Sequence, residues 1–210
     1  MKYVKLFAVL FAGFAFAQAQ AGDPEAGAAK AAVCAACHGP DGNSPSSEFP
    51  KIAGQGERYF VKQLKDYKSG ARDNALMRAQ VAALSEQDMK DLAAFYAAQT
   101  ADFGEADPEL VALGERLYRG GNLETGVAAC AACHGPAGQG MAAAGWPLLA
   151  GQHARYTEQQ MRAFRAAGRE DLDAPEYRQN DPEGMMRGVA ARMTDREIRA
   201  VSSFIQGLSK

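Results

Sequence analysis

All four cysteines of this 210-residue chain lie in two copies of one pentapeptide, Cys-x-x-Cys-His, at residues 34–38 and 130–134. Gly-Pro follows each copy. Two thiols at this spacing can each add to one vinyl group of a single porphyrin, and the next histidine then lies over the iron, so the pentapeptide is the attachment motif of a c-type haem. The motif predicts two covalently attached haem c groups. The predicted attachment residues and proximal ligands are Cys34, Cys37 and His38 in the first copy and Cys130, Cys133 and His134 in the second.

Cys-x-x-Cys pairs also occur in thioredoxin-type redox sites and in zinc sites. A redox pair is expected in a βαβ context, whereas the alanine-rich residues around both pairs favour helix. A zinc site made of two such pairs usually has a gap of about 15–20 residues, far shorter than the separation of Cys37 and Cys130. Neither alternative gives the histidine a role, so the haem interpretation is favoured.

The amino terminus has the features of a secretory signal peptide, which we place at residues 1–21. Lys2 and Lys5 precede an apolar run, and an Ala-x-Ala cleavage pattern follows it. The run is too short to span a bilayer well, although an uncleaved membrane anchor is the alternative. The expected mature protein is therefore periplasmic, with no stable membrane insertion after cleavage.

Composition and charge exclude one class of partner. The formal net charge is −2 and becomes more negative once Lys2 and Lys5 are removed. Because no cluster of lysine and arginine stands out as a phosphate-binding stripe, nucleic acid is not an expected partner.

The chain is an internal duplication of one helical unit. Each half opens with Asp-Pro, at Asp23 and Asp107, which predicts an N-cap followed by proline in the first helical turn. Each half closes with a helix capped at Ser85 or Thr194. Since no period-2 strand pattern is present, the predicted fold class is all-α, with two tandem domains. We place the first domain at residues 22–99, a linker at 100–107 and the second domain at 108–210.

Met77 and Met186 are the candidates for the sixth iron ligand. Each lies eight positions before the cap of the closing helix of its half, and Met77 is expected in irregular backbone. A shift of one residue would put Met185 in place of Met186. The other methionines after the first haem motif are interpreted as adaptable core side chains: Met89, Met141, Met161 and Met193.

Three further residues bear on the haem sites. His153 is the only histidine outside the motifs, and Gly56 takes its place in the first half, so a surface imidazole is expected rather than a ligand. Pro50 and Pro147 lie where a loop could return past the proximal histidine. A backbone carbonyl there could accept the Nδ1–H bond that orients the imidazole, although structural turn prolines explain them equally well.

The order of these signposts resembles the cytochrome c4 family. The shared features are the two haem motifs with Gly-Pro, the segments at residues 41–44 and 49–55, Arg58-Tyr59 and the methionine ahead of Ser85. The resemblance covers essentially the whole mature chain. It implies two cytochrome-c-like domains related by a pseudo-twofold axis, with the haem propionate edges facing each other. An acidic insertion at residues 170–183, set against the short segment 70–75 of the first half, leaves the course of the second methionine loop open.

Coordination by histidine and methionine would leave no open position on the iron, and methionine raises the reduction potential, so electron transfer is favoured over catalysis. The resemblance implies a soluble periplasmic dihaem cytochrome, not an enzyme, that shuttles electrons from a donor complex of the respiratory chain to a terminal oxidase. One alternative is a haem subunit of a redox enzyme, such as a flavocytochrome sulfide dehydrogenase. A dihaem peroxidase is a further alternative, but it would need an iron whose sixth position opens.

Overall fold

A computed structural model describes residues 21–209, and this range contains helices and no β-strand, as the sequence predicts. The first half consists of α1 (Pro24–Lys30), α2 (Ala32–His38), α3 (Glu57–Ser69), α4 (Ala75–Val81) and α5 (Glu86–Ala97). The second half consists of α6 (Pro108–Gly120), α7 (Ala131–His134), α8 (Ala154–Gly168), α9 (Met185–Ala190) and α10 (Asp195–Gly207), with 3₁₀ turns at Ala142–Ala144 and Pro182–Gly184. The predicted signal peptide lies, up to residue 20, outside the described residues. No helix within residues 21–209 combines the length and apolarity needed to cross a bilayer.

The predicted helix caps are present at the opening and closing helices. The Asp23 carboxylate accepts hydrogen bonds from the first turn of α1, and Asp107 does the same for α6. Ser85 with Asp88, and Thr194 with Glu197, form complete capping boxes at α5 and α10. These caps satisfy backbone N–H groups that would otherwise lack partners, so they fix where the four helices begin.

Each half has its own hydrophobic core, built where its opening helix packs across its closing helix. Gly27 of α1 lies so close to α5 that a Cβ atom there would be 2.1 Å from the Asp91 carbonyl oxygen. Gly114 of α6 has the same relation to α10, with 2.3 Å to the Ala200 carbonyl oxygen. Each closing helix contributes four buried side chains to its core, including Leu92 and Tyr96 in the first core and Ile198, Val201 and Ile205 in the second.

The methionines divide as expected with two exceptions. Met89, Met161 and Met193 are buried in the two cores. The interpretation of Met141 as a core residue is wrong, because it precedes a 3₁₀ turn at the surface and is 49% exposed. Met77 is not in irregular backbone either. It lies in α4, which begins early because the Asn74 side chain accepts a hydrogen bond from the Met77 N–H at 2.9 Å.

The acidic insertion is divided into two parts around Arg178. The Arg178 N–H donates to the Ala163 carbonyl of α8 at 3.1 Å, just as the Arg72 N–H donates to the Asp66 carbonyl of α3 at 3.0 Å. Arg178 is therefore the counterpart of Arg72, and extra residues lie on both sides of it. This returns the chain to the same path before the second methionine helix, α9.

Candidate haem-binding sites

The proximal histidines have the orientation that iron ligation requires. His38 ends α2 and His134 ends α7, and each is 7% exposed. The His38 Nδ1–H donates to the Pro50 carbonyl at 2.8 Å, and the His134 Nδ1–H to the Pro147 carbonyl at 3.0 Å. A carbonyl oxygen can only accept, so the proton resides on Nδ1, and Nε2 keeps its lone pair free for a metal. The expected hydrogen bonds to the two proline carbonyls are thereby confirmed.

Burial also keeps these imidazoles neutral. Desolvation lowers the pKa of His38 and of His134 below the usual histidine value, and the hydrogen bond to the proline carbonyl opposes this only in part. A neutral imidazole is the form that binds a metal. Both rings are therefore fixed in tautomer, and burial favours their neutral form.

The cysteines lie beside the same cores as the candidate methionines. Cys34 packs against the first core and Cys130 against the second. Burial raises the pKa of the Cys34 thiol, and it raises that of Cys130 to about 11. In each half the first cysteine therefore lies beside the core, and the second cysteine and the histidine follow it within four residues.

The candidate sixth ligands come from α4 and α9. Met77 is partly buried and packs against the core that also contacts Cys34, and Met186 packs against the core that contacts Cys130. Met185 is 41% exposed instead. The donor set of each half, an imidazole with a free Nε2 and a thioether beside two thiols, fits a haem c held by four protein atoms.

His153 is not the surface imidazole that the sequence predicts. It lies between the two halves and is partly buried, and its Nε2–H donates to the Ser44 carbonyl of the first half at 2.9 Å. The expectation is wrong because it treated the second half as if it stood alone.

A buried pair of arginines between the halves was not found from the sequence. Arg72 donates to Gln63 Oε1 at 2.8 Å, to Gln160 Oε1 at 2.6 Å and to the Tyr156 hydroxyl at 2.9 Å. Arg178 donates to the same two glutamine oxygens, at 3.0 Å for Gln63 and 2.8 Å for Gln160. We call Arg72, Arg178, Gln63 and Gln160 the arginine junction.

The arginine junction lacks negative charge. Every acceptor that the two guanidinium groups find among residues 21–209 is a neutral amide or hydroxyl oxygen. Each arginine is 7% exposed. A buried charge without a counter-charge costs several kcal/mol, so this arrangement fits an anionic group at the boundary between the halves. The signal was present in the sequence, but the insertion before Arg178 conceals its equivalence with Arg72.

Comparisons with known proteins agree with this architecture. The family model described as Cytochrome c matches residues 25–98 and again residues 111–209. Cytochrome c4 of Thiocapsa roseopersicina is 52% identical over 200 residues, which cover 94% of this chain and 99% of that protein. The crystal structure of reduced recombinant cytochrome c4 from Pseudomonas stutzeri superposes with a TM-score of 0.82 at 48% identity, over 90% of this chain and 100% of that chain.

A further relative has a different description. It is the thiosulfate dehydrogenase electron acceptor of Stutzerimonas stutzeri (strain A1501), 38% identical over 203 residues, which cover 92% of this chain and 89% of that protein. Two Cytochrome c segments, each with its own Cys-x-x-Cys-His motif, account for a dihaem protein. The chain therefore belongs to the cytochrome c4 family and is an electron carrier with two haem c groups rather than an enzyme.

Proposed function

We propose that the chain is a soluble periplasmic carrier that takes electrons from a donor complex of the respiratory chain and delivers them to a terminal oxidase. The observation that carries the proposal is the donor set repeated in each half: a buried histidine with its Nε2 free, and a methionine on the core that also contacts the first cysteine of the motif. In this proposal His38 and Met77 ligate one iron, and His134 and Met186 the other. The thiols of Cys34, Cys37, Cys130 and Cys133 hold the two porphyrins.

The residues of each half suit electron transfer without chemistry at the iron. Bound haem supplies a one-electron change between the ferric and ferrous states. Two protein ligands leave no position for oxygen or peroxide, and the thioether ligand favours the ferrous state. The hydrogen bond from each Nδ1 to a proline carbonyl holds the imidazole in one orientation, so little has to move when the charge changes.

We also assign the arginine junction to the haem carboxylates. Each haem c has two propionate groups, and Arg72 and Arg178 are buried charges that have only neutral acceptors among the described residues. Propionates at the boundary would neutralise both arginines.

The proposal also includes the domain bounds. Residues 22–99 and 108–210 are the two domains, residues 100–107 are the linker, and residues 1–21 are a signal peptide.

A second candidate function takes electrons from a sulfur-oxidising enzyme. It is favoured by the relative described as a thiosulfate dehydrogenase electron acceptor, which this chain matches over most of its length. Isolation from the native periplasm separates the candidates. A free protein that contains haem alone supports the shuttle, whereas stable copurification with a catalytic subunit supports the second candidate.

The ligand assignment is tested by opening one iron at a time. Met77→Ala and Met186→Ala should each create one ferrous haem that binds carbon monoxide, since each removes the sixth ligand. The wild type should bind little. Met185→Ala is the matched control, because it removes the exposed neighbour and should leave carbon monoxide binding as low as in the wild type. If Met186→Ala binds no carbon monoxide and Met185→Ala does, the second ligand is Met185.

A further inference from the structure

Two glutamines cross between the halves and make the same pair of contacts in opposite directions. The Gln55 side chain accepts from the Leu148 N–H at 2.9 Å and donates to the Leu148 carbonyl at 3.2 Å. The Gln152 side chain accepts from the Lys51 N–H at 2.9 Å and donates to the Lys51 carbonyl at 2.7 Å. Each amide therefore holds the main chain of one residue in the other half.

Both side chains are buried, and each Oε1 accepts two hydrogen bonds. Gln55 is 7% exposed and Gln152 is 9% exposed. Besides the bond across the boundary, each Oε1 accepts from the next N–H of its own chain, that of Gly56 at 3.0 Å or that of His153 at 3.0 Å. A buried amide with this many partners has one orientation, so it fixes the position of the peptide that it contacts.

The contacted peptides are the ones that orient the proximal histidines. The N–H of Leu148 and the carbonyl of Pro147 belong to one planar peptide unit, and that carbonyl accepts from His134 Nδ1. Likewise the N–H of Lys51 and the carbonyl of Pro50 form the unit that accepts from His38 Nδ1.

We propose that Gln55 is a positioning residue for the haem of the second half and that Gln152 is one for the haem of the first half. The inference rests on the proposed ligation by His38 and His134. A hydrogen bond accepted from a peptide N–H polarises that peptide and makes its carbonyl a better acceptor. A better acceptor at Nδ1 makes the imidazole a stronger electron donor, which stabilises ferric iron and lowers the reduction potential. Each half thus adjusts the potential of the other.

The test makes one substitution in each half and measures the reduction potentials of both haems. Gln55→Met keeps the side-chain volume and removes both hydrogen bonds to Leu148. It should raise the reduction potential of the Cys130/Cys133 haem and leave that of the Cys34/Cys37 haem nearly unchanged. Gln152→Met should raise the reduction potential of the Cys34/Cys37 haem and leave that of the Cys130/Cys133 haem nearly unchanged. We expect at least a threefold change in the reduction equilibrium of the affected haem, about 28 mV for a one-electron couple.

Spectroelectrochemical titration of the dihaem protein measures both potentials, and proton NMR resonances assigned with the methionine-ligand variants tell the haems apart. The control is Arg58→Met, which removes another hydrogen bond between the halves, from Arg58 to the Ala143 carbonyl at 2.7 Å, without contacting a proline peptide. Because it also removes an exposed charge, its potentials should differ from those of the wild type by no more than about 18 mV, the effect of a unit charge about 10 Å away in water. If either glutamine variant shifts both haems equally, or shifts the haem of its own half, the inference is wrong.

Loss of a haem also tests the inference. A Gln55→Met protein that retains the haem of its own half but loses the other supports the inference, and loss of its own haem contradicts it. The proposed ligation fails separately: it fails if the wild-type protein lacks the spectroscopic signature of histidine–methionine coordination. Unchanged potentials in a glutamine variant that retains this signature refute only the glutamine role.

Discussion

At the scale of single residues, Asp91 of α5 holds both ends of the opening helix of the first half. One carboxylate oxygen accepts from the Asp23 N–H at 3.0 Å, and the other accepts from Lys30 Nζ at 2.6 Å. The hydrogen bond from Lys30, followed by that from the Asp23 N–H, lowers the pKa of Asp91 to about 2. The second half has Ala200 at the equivalent position, and Ser203 accepts from the Asp107 N–H there.

Acid should therefore weaken the first half through Asp91. A carboxylate whose pKa falls from 3.8 to about 2 on folding contributes stability that is present above pH 3.8 and is lost as the pH falls towards 2. We expect Asp91→Asn to reduce the loss of unfolding free energy between these values, as measured by denaturant titration of the haem-loaded protein. Asp73→Asn, which removes an exposed partner of Arg78, should leave the pH dependence as it is. An unchanged acid response in Asp91→Asn would contradict this prediction.

At the scale of elements, the two opening helices depend on glycine where they cross the closing helices. A side chain at Gly114 would meet backbone of α10, which cannot rotate away as a side chain could. At this crossing α6 packs against α10 and the second core. Because α7 contacts α6, the position of α6 also affects where α7 lies.

Gly114→Ala should destabilise the second half by about 1–3 kcal/mol or more, because α6 must move away from α10. Gly120→Ala is the control on the same helix, since a Cβ atom there would meet nothing within 4 Å. That variant should be neutral or more stable by about 0.5–1 kcal/mol, as alanine favours helix. Thermal or denaturant unfolding of both variants measures the difference, and equal stabilities would mean that the crossing tolerates a methyl group.

Several of these elements could be predicted from local sequence. The caps at Asp23, Asp107, Ser85 and Thr194 need only neighbouring residues, and the spacing from a cap identified Met77 and Met186 as candidates. The contacts of Gln55, Gln152 and His153 could not be predicted in the same way, because their partners lie in the other half. One signal was available: a glutamine ends the same Ala-Gly-Gln segment in both copies.

At the scale of the whole molecule, the arginine junction joins the two halves around buried positive charge. Arg72 comes from the first half and reaches residues of α8, and Arg178 comes from the second half and reaches residues of α3. If haem propionates lie beside these arginines, both positive charges are close to a haem. A positive charge near the iron favours its ferrous state.

Arg72→Gln should lower the potential of at least one haem, because a positive charge near the iron is removed. A unit charge about 10 Å away contributes roughly 0.4 kcal/mol in water, or about 18 mV for a one-electron couple, and more in a drier interior. Lys65→Gln is the control, since Lys65 is an exposed partner of Glu86. Redox titration of both haem-loaded variants makes the comparison. Equal potentials in the wild type and Arg72→Gln would show that the arginine junction does not lie near either haem.

Gln55 and Gln152 each bond to the main chain of the other half, so neither half can be exchanged without affecting the other. A chimera that joins the first half to an unrelated single-haem cytochrome would lose the amide that Gln152 supplies to the Lys51 peptide and would leave the buried Gln55 amide without its partner. A substitution at one glutamine would therefore have to be matched by a substitution in the opposite loop to preserve the contact. A transplanted half should recover its native potential only when the recipient also carries a glutamine at the facing position.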